Sequence, residues 1–179
     1  RKLIQLQNCN PRTLNTQTKA SPRMKRTFKI TLLILVGLLL AGIAGFLVWA
    51  STPLGPSPAA LAALQSDAAV SFSQDYWLIF APTQQTPRTG LVLYPGARVD
   101  PRSYAPAAHA IAQAGYLVVI TPMPLNLAVL NPAAAGEVIA AYPDIENWAV
   151  GGHSLGGAMA ARFVFENPQG FQGQPIAGL

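Results

Sequence analysis

Hydrophobic positions in this chain follow two patterns. Residues 30–50 are a single apolar block in which Thr31 is the only polar side chain, whereas beyond residue 66 apolar positions come in short runs separated by turn residues and helical spacings. As a helix, the 21 residues of the block span about 31 Å at about 1.5 Å per residue, enough to cross a hydrocarbon core. The later runs predict alternating elements. Residues 59–65 suit one short helix. Residues 70–80, with Phe72, Tyr76, Trp77, Ile79 and Phe80, read as a strand or a hairpin of two. Residues 91–94 and 116–121 are continuous apolar strands, closed by Pro95-Gly96 and by Pro122-Met123-Pro124. Between them a helix is predicted over 101–114, with Asp100 as N-cap, Tyr104, Ala108, Ile111 and Ala112 on one face, and Gly115 as its stop. A loop runs to residue 130, followed by a helix over 132–141, a strand at 148–150 and a helix over 155–166.

Strands without polar alternation, separated by helices, predict an α/β class fold: a mostly parallel sheet with helices on both faces, preceded by one transmembrane helix. Ligands of open sheets of this kind bind beyond the carboxyl ends of the strands. The loop after residue 94, the loop after residue 121 and the turn around Ser154 all fall at such ends.

Charge sharpens the division. The net charge of +5 arises from the first 29 residues, which hold eight of the twelve Lys and Arg and no acid; residues 51–179 carry four basic and seven acidic side chains. A nucleic-acid partner therefore has no basic patch on the main domain to bind. Lys25, Arg26 and Lys29 directly precede the apolar block, so the positive-inside bias places the N-terminus in the cytoplasm and the domain outside it. The expected organisation is a basic tail (1–29), a transmembrane anchor (30–50), a Pro-rich spacer lifting the domain off the bilayer (51–66) and a domain over 67–179. Residues 1–23 precede Met24 and read either as a disordered cytoplasmic tail or as untranslated sequence. A signal peptide cleaved after Ala50 is the alternative to an anchor, giving a secreted protein. The single cysteine, Cys9, allows no intrachain disulfide, no metal-ligand cluster stands out, and no cofactor motif appears.

The chemistry concentrates in Gly151-Gly152-His153-Ser154-Leu155-Gly156-Gly157. A serine between two flanking glycines, after an apolar strand and before a small-residue helix, is the pattern of a strand-to-helix turn that exposes a hydroxyl above the sheet. Gly152 and Gly156 give the turn room, and the hydroxyl needs a base to become a nucleophile. His153 is adjacent and diverges from Ser154, so it is expected to pack beneath the site. His109 is expected on a helix surface or at a cap. Asp100 reads first as a cap, and Asp100 and Arg102 alternatively as groups that orient the loop before them or meet substrate. Arg98 reads as solvated or as an attractor for an anionic substrate group. Met123, Leu125, Leu127, Val129 and Leu130 suit either an apolar pocket or ordinary core, and Glu137, Asp144 and Glu146 look like surface charge.

Together with Leu91-Val92-Leu93-Tyr94-Pro95-Gly96-Ala97, this motif resembles the α/β-hydrolase superfamily, and most of all its small dienelactone-hydrolase-like branch. The resemblance covers residue 91 onward. It implies a serine hydrolase acting on ester or thioester-type acyl bonds of a small-molecule substrate, with Ser154 as nucleophile. One oxyanion N–H would come from Leu155, and a second from Ala97, with Gly96 as alternative. The order in this superfamily is serine, acid, histidine. The 25 residues after Ser154 hold neither Asp nor His, and Glu166, at the end of the elbow helix, is their only acid. The expectation is an incomplete fold whose triad acid and histidine lie beyond Leu179. A catalytically silent binding module and an acyltransferase remain alternatives. Nothing in the sequence sets the substrate or the oligomeric state.

Overall fold

The computed structural model describes residues 22–178; the preceding tail, with Cys9, and Leu179 lie outside the described residues. The chain divides into two compact units, residues 1–43 and 44–179. In the first unit the described residues are helical throughout and belong to helix α1 (Pro22–Ser51), which ends in the second unit. Its stretch Arg26–Ser51 is long and apolar enough to cross a membrane.

The second unit is built on a six-stranded sheet in the order β1-β2-β4-β3-β5-β6. The strands are β1 (Val70–Gln74), β2 (Leu78–Pro82), β3 (Thr89–Tyr94), β4 (Leu117–Ile120), β5 (Asn147–Gly152) and β6 (Ile176–Gly178). Strands β4, β3, β5 and β6 run parallel, and β2 joins β4 antiparallel. The apolar stretch predicted over 70–80 is thus a hairpin, with Val70 opposite Pro82. Helices α2 (Pro58–Ala62), α3 (Ala105–Gln113), α4 (Ala134–Ala141) and α5 (Leu155–Glu166) accompany the sheet.

Two cores explain why the central strands carry no polar alternation. On one face Leu78, Phe80, Val118 and Ile120 pack with Ala105, Ala108 and Ala112 of α3. On the other, Val92, Tyr94, Val119, Trp148 and Val150 pack with Val138 and Ile139 of α4 and with Ala160 and Phe163 of α5. Both faces are covered, so side chains pointing either way must be apolar. The fold is an α/β fold with a mixed, mostly parallel sheet.

Three expectations change. The helix predicted over 101–114 starts as a 3-10 turn, Pro101–Tyr104, and becomes α3 only at Ala105. Pro106, which has no N–H to donate, falls in the first turn of α3, where that donor would be unpaired anyway. The loop over 122–130 contains two short 3-10 turns, Pro124–Asn126 and Ala128–Leu130; Met123, Leu127 and Ala128 join the core while Val129 and Leu130 stay exposed. The largest correction concerns the segment read as a Pro-rich spacer over 51–66. Leu54 forms a parallel bridge with Val99, donating to Arg98 O at 2.6 Å and accepting from Asp100 N at 3.0 Å. Backbone groups that a free-standing extended segment would give to water are paired here with the domain, so residues 52–54 form a strap on it.

Candidate active site

Strand β5 ends at Gly152 and α5 begins at Leu155, leaving two residues to reverse the chain. Ser154 takes up the reversal with φ 53° and ψ −121°, a conformation that costs a non-glycine residue about 1–3 kcal/mol. The packing around it enforces that geometry. A Cβ on Gly152 would stand 2.6 Å from the Gly156 carbonyl carbon and 2.7 Å from Tyr94 O, and one on Gly156 would collide with the carbonyl oxygens of Tyr94 and Pro95. The turn can therefore sit this close to the end of β3 only with glycine on both sides of Ser154. Backbone bonds close it: His153 N donates to Tyr94 O (3.1 Å), Gly156 N to His153 O (2.9 Å) and Ala158 N to Ser154 O (3.1 Å).

Ser154 is exposed, and its hydroxyl has no hydrogen-bond partner among the described residues. Among the described residues two backbone donors are also uncommitted: Leu155 N–H, the first of α5, and Ala97 N–H, in the loop after β3. Gly96 N–H differs, since it donates to Tyr104 Oη at 2.9 Å. Of the two candidates in that loop, Ala97 therefore keeps its donor free and Gly96 does not. The Tyr104 hydroxyl, having accepted from Gly96, lies 3.1 Å from His153 Nδ1. His153 is exposed and tied to Tyr104, rather than packed beneath the turn as expected.

The loop over 96–100 is held by residues far away in sequence. Arg98 adopts φ 56°, donates from N to Asn126 O at 2.8 Å, and reaches Thr52 O with Nη2 at 2.7 Å. Its guanidinium lies 4.6 Å from the centre of the Trp49 ring. Neither sequence reading of Arg98 anticipated this clip. Asp100 caps the following turn, accepting from Arg102 N at 2.9 Å, and pairs with the Arg102 side chain at 2.6 Å. The Arg102 guanidinium holds the Asp100 carboxyl below its ordinary range, with burial opposing. Beneath the loop, Tyr94 Oη donates to Pro132 O (2.9 Å) and accepts from Ala135 N (2.6 Å), pinning the start of α4 to β3. Burial pushes its pKa up to about 12, so it stays a neutral hydroxyl.

The remaining candidates lie apart from Ser154. His109 Nε2 pairs with Asp67 Oδ2 at 3.2 Å beside a cavity of about 420 Å³ lined by the end of α2, the segment after it and α3. Glu137 and Asp144 are exposed, Glu146 pairs with Arg88 at 2.6 Å, and Glu166 pairs with Arg162 at 2.8 Å along α5. Neither of the chain's two histidines hydrogen-bonds Ser154. Sequence reasoning missed Tyr104, Thr52, Leu54, Trp49 and Asn126 as supports of the site. Tyr104 alone carried a signal, lying one short helix turn after the loop it braces.

A search of curated proteins found no match. Residues 90–174 match the model of an alpha/beta hydrolase family. That stretch runs from β3 to just short of β6 and includes both the loop bearing Ala97 and the turn bearing Ser154. The fold and this match together support placing residues 90–174 in the α/β-hydrolase superfamily.

Proposed function

We propose that this protein is a membrane-anchored, extracytoplasmic serine hydrolase acting on ester or thioester-type acyl bonds. One observation carries the reading: Ser154 is held at φ 53°, ψ −121° by glycine-only contacts, with its hydroxyl exposed. Strain of this kind persists where the surrounding structure over-determines it, and it gathers at reactive sites. Ser154 Oγ bonds the acyl carbon and its proton passes to a general base, which returns it to the leaving alcohol or thiol. Water then cleaves the acyl-enzyme. The free N–H groups of Leu155 and Ala97 hold the carbonyl oxygen as it becomes negative; one such donor is worth about 3 kcal/mol. The segment 26–51 is the anchor, and the basic residues before it argue for a cytoplasmic N-terminus.

A second reading has its own support. His153 is committed to Tyr104 and His109 to Asp67, so neither is set to act as base for Ser154. A hydrolase-fold module that binds without catalysis fits that arrangement. A fluorophosphonate probe on the full-length protein separates the two. Labelling that disappears in Ser154→Ala supports the hydrolase, because only an activated serine is phosphonylated. A full-length protein that stays unlabelled while folded points to the binding module.

A further inference from the structure

We infer that Tyr104 is a positioning residue for the proposed hydrolysis: its hydroxyl sets the separation of the two oxyanion donors by tying the loop that bears Ala97 to the turn that bears Ser154. The inference rests on the serine-hydrolase reading and adds to it a residue that acts through others and touches no reacting atom.

The direction of each donor is settled inside its own segment. A trans peptide carries its N–H and C=O on opposite sides, so fixing one aims the other. Gly96 O accepts from Val99 N at 3.1 Å, which turns the Ala97 N–H of the same peptide away from Val99. Ser154 O accepts from Ala158 N at 3.1 Å, which turns the Leu155 N–H outward from the start of α5. Direction alone does not make a site. Two donors grip one oxygen only if each lies about 2.7–3.1 Å from it, so the gap between the segments must be fixed as well.

Most of the holds on the loop do not fix that gap. His153 N donates to Tyr94 O, and Gly156 packs on the carbonyls of Tyr94 and Pro95, but these contacts end before Gly96. Further on the loop turns to other partners: Arg98 N donates to Asn126 O, and Arg98 O and Asp100 N both bond Leu54. Among the described residues, one side chain is hydrogen-bonded to both segments. Tyr104 Oη accepts from Gly96 N at 2.9 Å and shares a 3.1 Å hydrogen bond with His153 Nδ1. Gly96 directly precedes Ala97, and His153 directly precedes Ser154. The two segments approach closely at this point, since a Cβ on Gly96 would stand 2.7 Å from His153 Nδ1 and 3.2 Å from Tyr104 Oη. The Tyr104 ring packs against the core that α3 forms with β2 and β4, so the hydroxyl is an anchored point. Without it Gly96 N–H loses its acceptor, the loop keeps only its distant holds, and the gap is free to widen. The ester would still bind; the grip on the oxyanion, which exists only in the transition state, would weaken. The effect therefore belongs in kcat rather than in KM.

The test follows p-nitrophenyl butyrate hydrolysis by the full-length protein and by Tyr104→Phe, His153→Leu, the two combined, and His153→Asn. Tyr104→Phe keeps the ring and removes only the hydroxyl. It is expected to lower kcat about thirtyfold, less than the roughly 10²–10³ that loss of a donor costs, with KM within about twofold. Butylboronic acid, which forms a tetrahedral adduct on an activated serine, should bind this variant about thirtyfold more weakly. His153→Leu removes the other end of the tie and should lower kcat to a similar extent. The combined variant should be no slower than either one, because a single tie is broken. His153→Asn, whose side chain reaches as far as Nδ1, should recover most of the loss. The inference is overturned if Tyr104→Phe leaves kcat unchanged, if KM rises as kcat falls, if the combined variant loses the product of the two single losses, or if His153→Asn is as slow as His153→Leu. Should Tyr104→Phe fail to fold, the contrast between His153→Leu and His153→Asn decides. An active wild type with indifferent variants overturns this inference alone. A wild type that neither hydrolyses the ester nor takes a fluorophosphonate label overturns the serine-hydrolase reading, and the inference falls with it.

Discussion

The turn over 152–157 and the loop over 96–100 supply the two free N–H groups of the site, yet they are held in opposite ways. Contacts between neighbours in sequence, and with the end of β3, fix the turn, glycine against carbonyl, and a single side-chain bond, His153 to Tyr104, leads out of it. The loop is held from a distance, by Thr52 and Leu54, by Asn126, and by Tyr104 through Gly96 N. The turn should therefore be rigid and intolerant of added atoms. The loop should respond to whatever moves its distant partners, above all the end of α1.

Gly156→Ala is the most direct way to break the turn. Its new Cβ would meet the carbonyl oxygens of Tyr94 and Pro95, both in backbone with little freedom to yield. Overpacking of this kind is expected to cost about 3 kcal/mol. Chemical denaturation should show the loss, together with loss of fluorophosphonate labelling. An alanine accepted at wild-type stability would mean that the turn is looser than its packing implies.

The same contrast explains what was legible in the sequence. The turn was readable because every requirement it has, two glycines about a serine, a strand before and small residues after, lies within a few consecutive positions. Helix α5 and the apolar strands β3 to β5 were readable for the same reason, since burial on both faces leaves its mark residue by residue. The strap was not readable. Its bonds from Leu54 to Arg98 and Asp100 are made by backbone groups, which every residue carries, and Arg98 meets Thr52 across 46 positions. A proline-rich run after an apolar block looks the same whether it stands in water or lies on a sheet-end loop. Which of the two loop donors stays free was hidden as well, because the Tyr104 hydroxyl that takes Gly96 N lies outside the motif.

Ser154→Gly tests the strain in the turn with the opposite sign. Glycine adopts a positive φ without a Cβ penalty, so the substitution should raise stability by about 1 kcal/mol while removing all labelling. Gain of stability with loss of function is the mark of strain retained for chemistry. A loss of stability instead would show that the Ser154 side chain makes a contact worth more than the strain it bears.

The smallest effect belongs to the loop and depends on pH. The Asp100 carboxyl, drawn below its ordinary range by Arg102, caps the turn that follows the loop. A carboxyl with a depressed folded-state pKa stabilises the fold above its unfolded value of about 3.9, and that contribution disappears as pH falls through the folded value. The pair is partly open to water, with the Arg102 side chain 44% exposed, so the contribution is at most about 1 kcal/mol. Asp100→Asn should be less stable than wild type by that amount from about pH 5 upward, and the difference should begin to shrink near the unfolded value of about 3.9 and close as pH falls through the lower folded value. Because Asp100 N also donates to Leu54 O, protonation should loosen the strap before it loosens the glycine turn. Once the pH lies below the folded value, amide protection factors are then expected to fall at residues 98–100 and to hold at residues 153–158. An equal fall in both segments would mean that the two are held by one network, and the contrast between them would be lost.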